Sequence, residues 1–397
     1  MRPVVSRVAF LAALLLPLAV AAQAPPGVDV VGTVRAADGE TLPGVNVYLS
    51  GTTRGAATDA QGRFRIENVP PGAYRLVASF IGYTAAVQDI RVRAGQEAGP
   101  FAIRLEASAV EGGEAVVQAE GDARWRRRYE RFKKILLGES ENAAQTDIEN
   151  PWVLTFRDRF GELRATASAP LVIVNRALGY RLVYDLHAFG ATDTRIQYDG
   201  DERFELLEPA DASEAARWET ARAIAYRGSL RHLLQAMRRG AATTEGFSFT
   251  LRRMSTTGEL LDYVGRPISE ADLTTPADSV ETGAPGWYHL QFDGMLGVGY
   301  ETEPEAPAYL SSEWFRESRA TPYDRQQSYL QLTNGDPALV DPKGTPADPF
   351  AISASGYLAF ERLGDLVPEE YVPPTVTTQS QIQARRPPRA SGAGRDR

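Results

Sequence analysis

The sequence contains no cysteine, and it has only three histidines among 397 residues. The absence of cysteine excludes disulfides, thiolate metal sites and a cysteine nucleophile. It also excludes a lipoprotein anchor, which needs a cysteine at the new N-terminus. Because disulfide-free export is more common in bacteria than among eukaryotic secreted domains, a bacterial envelope is the favoured setting.

Long apolar runs are also absent after the first two dozen residues, so no later helix is predicted to cross a bilayer. The N-terminus itself is typical of a secretory signal. Arg2 and Arg7 are followed by the apolar run Val8 to Val20, and Ala22-Gln23-Ala24 fits the small-residue cleavage pattern. We therefore expect residues 1–24 to be a cleaved signal peptide, with the mature chain in the periplasm, associated with the outer membrane or on the cell surface.

The composition, 43% apolar and 24% charged, is that of an ordinary globular protein. The length, less a signal and a tail, suits two or three domains. A net charge of −8 argues against nucleic acid as a general partner.

Residues 25–106 are predicted to form an all-β unit of about seven short strands. Phe64 and Ile66 alternate with charged residues, which indicates a strand with one buried and one exposed face. Asp59 can hydrogen-bond backbone amides in its loop, and Gly62 lets the chain reverse before Phe64. Seven strands in this length are enough for two packed sheets.

Short motifs recur along this unit in a distinctive order: Gly32-Thr33-Val34, Leu42-Pro43-Gly44-Val45-Asn46-Val47, Gly51-Thr52-Thr53, Thr58-Asp59, Gly62-Arg63-Phe64, Val69-Pro70-Pro71-Gly72-Ala73-Tyr74 and Ile81-Gly82-Tyr83. Together they closely resemble the carboxypeptidase-regulatory-like domain, a transthyretin-like (prealbumin-like) β-sandwich. That domain is often found at the front of TonB-dependent outer-membrane receptors and other Gram-negative envelope proteins. The resemblance implies a scaffold without catalysis, because in metallocarboxypeptidases a separate zinc domain does the chemistry.

The remaining chain is predicted to be mostly β, so the whole protein is α+β with β predominant. A linker spans residues 107–122, and a β-rich domain spans residues 123–372, with helices near 123–137 and 213–239. Within that domain, Ser213 and Ser229 are predicted to cap the paired helices. After residue 372 the composition predicts a disordered tail, 373–397. Several segments here resemble an uncharacterised group of envelope proteins: Phe132 to Ser140, Asn175 to Leu182, Tyr226 to Leu230 and Gly356 to Leu358.

No motif indicates catalysis. His187, His232 and His289 lack the glutamates of the zinc motifs H-x-x-E and H-E-x-x-H. The nearest run to a G-x-S-x-G elbow, at 351–356, lacks its first glycine, and no Walker A motif is present. We predict no catalytic residue, no cofactor and no metal. The acidic run Asp199 to Glu202 suggests a calcium loop, but a solvated hairpin turn is favoured.

The helix at 123–137 carries the most unusual feature, a ring of basic side chains around an aromatic stripe. We name these as the candidate contact with a partner or a membrane: Arg124, Arg126, Arg127, Arg128, Arg131, Lys133 and Lys134. They could bind anionic lipid or an acidic partner. The favoured alternative is a helix whose aromatic stripe packs on the next domain while its charges face water.

The sequence therefore predicts a non-catalytic envelope binding or assembly protein with a protein partner in the envelope. Loops and sheet edges of the sandwich are the expected docking surface. One alternative is a hydrolase, acting on peptides or glycans, with its site in residues 123–372. The other is an accessory subunit of a TonB-dependent transport system.

Overall fold

The computed structural model describes residues 27–93, 95–107, 123–193, 195–255, 260–262, 264–278, 285–312 and 323–374. The expected signal peptide, nearly all of the expected linker and all but the first two residues of the expected tail lie outside these residues.

The N-terminal unit is a sandwich of two sheets, as predicted. Its strands are β1 (Val28–Ala36), β2 (Asn46–Leu49), β3 (Gly55–Ala57), β4 (Arg63–Val69), β5 (Gly72–Ser79), β6 (Ala86–Val92) and β7 (Ala98–Leu105). One sheet has the order β4-β1-β7 and the other β3-β2-β5-β6. Apolar side chains from both sheets meet in one core, because alternate residues of each strand point inward.

The turn before β4 shows how local sequence sets this fold. Asp59 accepts hydrogen bonds from the backbone amides of Gln61 (2.9 Å) and Arg63 (2.8 Å), as predicted for this loop. Gly62 has a φ of +73°, and a Cβ there would lie 2.5 Å from the carbonyl oxygen of Val34. Only glycine meets both conditions, so the reversal is fixed before Phe64 enters the core.

The next part of the chain builds a six-stranded antiparallel sheet covered by a helix. Its elements are α1 (Ala123–Leu137), β8 (Thr146–Ile148), β9 (Leu154–Arg159), β10 (Glu162–Ala167), β11 (Leu171–Asn175), β12 (Tyr180–Ala191) and β13 (Ile196–Leu206). The order is β8-β11-β12-β10-β9, and β13 pairs with β12 along its length. Phe132 of α1 is fully buried, with its ring 4.6 Å from that of Phe189 and 5.5 Å from that of Phe156.

Two helices lead into the last part, a five-stranded and a three-stranded sheet. The elements are α2 (Ala212–Tyr226), α3 (Leu230–Arg238), β14 (Phe247–Arg252), β15 (Arg266–Pro267), β16 (Thr274–Pro276), β17 (Tyr288–Leu290), β18 (Met295–Tyr300), α4 (Pro307–Ser311), β19 (Gln326–Leu332), β20 (Ala338–Val340), β21 (Ile352–Gly356) and α5 (Tyr357–Phe360). The orders are β15-β14-β18-β19-β21 and β16-β17-β20.

The predicted N-cap is confirmed for the second of the two helices, and it is wrong for the first. Ser229 caps α3, and its Oγ accepts the amide of His232 at 3.2 Å. Ser213 does not cap α2, because the helix already begins at Ala212. Asp211 is the cap instead, accepting the amide of Glu214 at 2.8 Å. Both residues are good caps, and the spacing to the accepted amide selects Asp211.

Candidate functional site

The three histidines lie on three different elements. His187 is on β12, His232 on α3 and His289 on β17. Within the described ranges, no hydrogen bond or ion pair joins one histidine to another. Nor do the described residues contain a group of three or more His, Cys, Asp or Glu side chains placed to hold a metal ion. The three histidines therefore do not share one site in this part of the chain, although His187 and His232 each lie beside carboxylates.

His232 lines a cavity of about 440 Å³ between the helical pair, the end of β18 and the segment 369–373. Three tyrosines, Tyr226, Tyr300 and Tyr371, contribute to its wall, so we name it the tyrosine cavity. Its polar lining includes Arg227 and Glu245. The volume falls within the usual range for small-ligand pockets.

The state of His232 follows from its surroundings. Its ring lies 5.0 Å from the rings of Tyr226 and Phe247, and burial lowers its pKa although Glu245 opposes this. The neutral ring accepts a hydrogen bond at Nδ1 from the amide of Gly228 (3.1 Å). Its Nε2 then donates to Glu245 Oε2 at 2.9 Å. With both nitrogens occupied, His232 has no lone pair directed at a substrate proton, which a general base needs.

Glu245 is the common acceptor of this cluster. Burial raises the pKa of its carboxyl, but hydrogen bonds from Arg239 and His232 outweigh that effect, and the net shift is downward. Arg239 Nη2 donates to both carboxylate oxygens, at 2.9 and 3.0 Å. The arrangement holds an ionised glutamate between the Arg239 guanidinium and the His232 ring.

Replacing Glu245 with glutamine tests this reading. We expect the free energy of unfolding to fall by only about 1 kcal/mol, because the ion pair with Arg239 is partly exposed. The pKa of His232, followed by NMR titration, should fall further, because the carboxylate that favours the imidazolium is gone. The matched control is Glu301→Gln, which removes an exposed pair with Arg325 and should leave the pKa of His232 unchanged. An upward shift of that pKa in Glu245→Gln would contradict the assignment.

A second cluster lies where the sandwich meets the six-stranded sheet. Asp201, on β13, has a fully buried side chain. Its Oδ1 accepts a hydrogen bond from Ser50 Oγ at 2.7 Å and lies 3.2 Å from Arg75 Nη1, both on the sandwich. Its Oδ2 lies 3.4 Å from Nε2 of His187, and Nδ1 of that ring lies 3.5 Å from Asp199. We name these residues the junction cluster.

The predicted solvated hairpin turn at Asp199 to Glu202 is therefore wrong. These residues lie in the middle of one continuous strand, β13, where Asp199 and Asp201 contact His187 of β12 and Asp201 also contacts the sandwich. Hydrogen bonding to Asp199 raises the pKa of His187, while the same contact lowers the pKa of Asp199. Arg75 and the His187 ring thus place two basic side chains beside the buried carboxylate of Asp201.

Backbone hydrogen bonds complete the junction. The turn after β2 reaches β13, where the amide of Gly51 donates to the carbonyl of Glu202 (2.8 Å) and the amide of Phe204 donates to that of Thr52 (2.9 Å). On the other side, the amide of Glu369 donates to the carbonyl of Gly51 at 2.7 Å. Gly51 has a φ of +78°, and a Cβ there would lie 2.8 Å from the Glu369 carboxyl carbon, so glycine is required.

The candidate basic residues all lie on α1, whose aromatic stripe packs inward. Trp125 Nε1 donates to the carbonyl of Leu154 at 3.2 Å, and Phe132 is buried on the sheet. Ion pairs connect four of the candidate cations with acidic side chains: Arg128 with Asp158 (2.6 Å), Arg131 with Asp193 (3.2 Å), Lys133 with Asp147 (2.7 Å) and Lys134 with Glu139 (3.2 Å). The charged face is left at the surface of the protein.

Part of this face forms a groove of about 430 Å³ between α1 and the β9–β10 hairpin. It is lined by four arginines, by Asp158 and by Leu163, and we name it the arginine groove. The arginines are Arg124, Arg127, Arg128 and Arg131, at helical spacing on one side of α1. Arg126, Lys133 and Lys134 do not line it. None of the described helices has the length and apolar character needed to span a membrane.

Comparison with known proteins identifies the sandwich. Residues 29–106 match the family model of the carboxypeptidase regulatory-like domain. Over 65 residues the chain is 43% identical to a TonB-dependent receptor of Formosa agariphila. That stretch is 16% of this chain and 6% of the receptor, so the chain spans only a small part of this relative.

Among solved structures, the chain is similar to one chain of a type II cohesin–X–dockerin complex from Acetivibrio cellulolyticus. The identity is 24% and the TM-score 0.18, with 20% of this chain and 58% of the other covered. It is also similar to a DUF3823 family protein from Bacteroides ovatus, with 11% identity, a TM-score of 0.15, and 46% and 82% of the two chains covered.

Proposed function

We propose that this chain is a non-catalytic binding or assembly protein of the Gram-negative cell envelope. The observation that carries the proposal is how its titratable side chains are used. Those of the junction cluster bind one another and fix the sandwich, and both nitrogens of His232 already have partners. This arrangement supports a scaffold that presents surfaces, in agreement with the accessory character of the regulatory-like domain.

The docking surface for a protein partner is the β6 edge of the sandwich. Within the described residues β6 pairs with β5 alone, so it is an edge strand of its sheet, the kind of strand to which another strand can add. Two exposed apolar side chains flank this edge, Val87 (45% exposed) on β6 and Ile81 (87% exposed) in the loop before it. An open edge beside apolar side chains is the arrangement that β-strand addition uses.

Site-specific photocrosslinking in native envelopes tests the proposal. The lysines are Lys133, Lys134 and Lys343, and none of them is part of the sandwich, so a probe placed at a chosen residue is used. A benzophenone amino acid at Val87 should give one reproducible partner, identified by mass spectrometry. The same probe at Glu67, exposed on the opposite edge strand β4, is the control and should give none. Absence of an enriched neighbour at Val87 would contradict the proposal.

A subunit of a TonB-dependent transport system is the second candidate. The similarity to a short stretch of a TonB-dependent receptor favours it. The same crosslinking separates the two, because recovery of an outer-membrane transporter at Val87 would support this candidate, and recovery of any other envelope protein would remove it.

A further inference from the structure

We propose that the tip of the β9–β10 hairpin and the arginine groove beside it form a docking face for an anionic lipid surface. The inference rests on the envelope location in the proposed function, but it does not depend on the protein partner at the β6 edge.

Phe160, at the hairpin tip, is the first observation. Arg159 pairs with Glu162, so Phe160 and Gly161 form a two-residue turn, with φ values of +52° and +83°. Such a turn favours asparagine followed by glycine, because most side chains are strained at positive φ. Phe160 is also 95% exposed. A phenylalanine here therefore stabilises the fold neither through its backbone conformation nor through burial of its ring. A ligand for the ring would explain its presence.

Arginines lie on both faces of the hairpin that carries this ring. The Arg159 guanidinium lies 5.2 Å from the Phe160 ring, and Arg157 and Arg164 are opposite one another on the outward face. The arginine groove lies on the inward face. Within the described residues, three carboxylates form ion pairs with these arginines: Asp158, Glu162 and Asp193. In a chain with a net charge of −8, this face carries a concentrated positive charge.

The groove and the hairpin are held as one unit. Arg128 of α1 binds Asp158 of β9 at 2.6 Å, and Trp125 donates to the β9 carbonyl of Leu154. Because the aromatic stripe of α1 is buried, the helix cannot lay that face on lipid. It contributes charge, and the only large apolar side chain on the hairpin turn is Phe160.

An exposed apolar side chain at the tip of an arginine-rich hairpin is better suited to binding a lipid surface than to binding an acidic protein or a nucleic acid. The ring can enter the boundary between headgroups and acyl chains, while the guanidinium groups bind headgroup phosphates. Each arginine near an anionic surface strengthens binding about fivefold, and insertion of the ring adds about tenfold. The charge of the arginines and the insertion of the ring together give measurable, reversible binding.

Vesicle co-sedimentation of the full processed chain tests the proposal. Vesicles containing about one third phosphatidylglycerol should bind the protein, and pure phosphatidylcholine vesicles should not. In Phe160→Asn, binding should fall about tenfold while the melting temperature stays the same or rises, because asparagine suits the turn. Ile81→Asn removes an equally exposed apolar side chain from the sandwich and should bind as the unmodified chain does.

A double variant isolates the electrostatic part. Arg127→Gln with Arg157→Gln should weaken binding by more than tenfold and reduce its dependence on salt. The proposal is overturned if Phe160→Asn binds as tightly as the unmodified chain, or if both vesicle types bind equally. If the chain does not bind vesicles but a partner is still captured at Val87, only the proposed lipid-docking face is contradicted. If the chain binds vesicles but no partner is captured at Val87, only the proposed assembly function is contradicted.

Discussion

Replacing Asp201 with alanine should lower the free energy of unfolding by about 3 kcal/mol and release the sandwich from β13. The fully buried carboxylate accepts from Ser50 and binds Arg75 and His187, so its removal leaves three polar groups in the junction without their acceptor. Urea unfolding measures the energy, and limited proteolysis measures the release.

Asp193→Ala is the matched control for this substitution. Its side chain is almost fully exposed, and its ion pair with Arg131 spans 3.2 Å, so it should change stability by less than about 0.5 kcal/mol. Asp201→Asn should be intermediate, because the amide oxygen can still accept from Ser50. Equal stability and equal proteolysis of Asp201→Ala and Asp193→Ala would show that the junction cluster does not hold the sandwich.

The folded chain should be more stable at about pH 5 than at about pH 8, by several kcal/mol. Burial raises the pKa of four carboxyl groups. The pKa is about 6 for Asp341 and Asp365, and about 7 for Glu202 and Glu303. In the unfolded chain these groups are ionised throughout this range. The folded state therefore binds more protons, and its stability falls as the pH rises through 6 and 7.

The two histidines with shifted pKa values change the pH dependence of stability in opposite directions. The raised pKa of His187 adds stability at low pH that is lost as the pH rises through its folded value. The lowered pKa of His232 works against this, because its contribution is present above about pH 6.5 and is lost below it. The four carboxyls outweigh this one opposing group.

Asp365→Asn is the variant that checks this pH dependence. Its Oδ1 accepts from Ser140 and Asn142, which an amide oxygen can also do. We expect the variant to be more stable than the unmodified chain at about pH 8 and equally stable at about pH 5, measured by thermal unfolding. A chain that loses stability on going from about pH 8 to about pH 5 would contradict the burial of these carboxyls.

The sandwich could be predicted because its determinants are local. Alternation around Phe64 gives the buried face, and Asp59 and Gly62 fix the turn before β4, all within six residues. The pairing of β9 with β10 was predictable for the same reason, since two residues separate the strands.

The junction cluster could not be predicted because its partners lie far apart in sequence. Asp201 contacts Ser50 and Arg75, which are 151 and 126 residues away. An acidic run containing glycine has the composition of an exposed turn, and only the docked sandwich turns it into a buried strand. The exposure of Phe160 is not apparent from composition either, because phenylalanine is usually buried, and only the structure shows that this residue is 95% exposed.

Hydrogen–deuterium exchange at two amides tests most directly whether the sandwich is a fixed part of this binding protein. Gly51 and Phe204 donate across the junction, and Phe204 does so from the outer edge of β13. We predict that both amides exchange as slowly as those in the centre of β12, and that Asp201→Ala makes both exchange fast. Fast exchange of these two amides in the unmodified chain, with β12 still protected, would show that the sandwich is a freely tethered module and would contradict the structure described here.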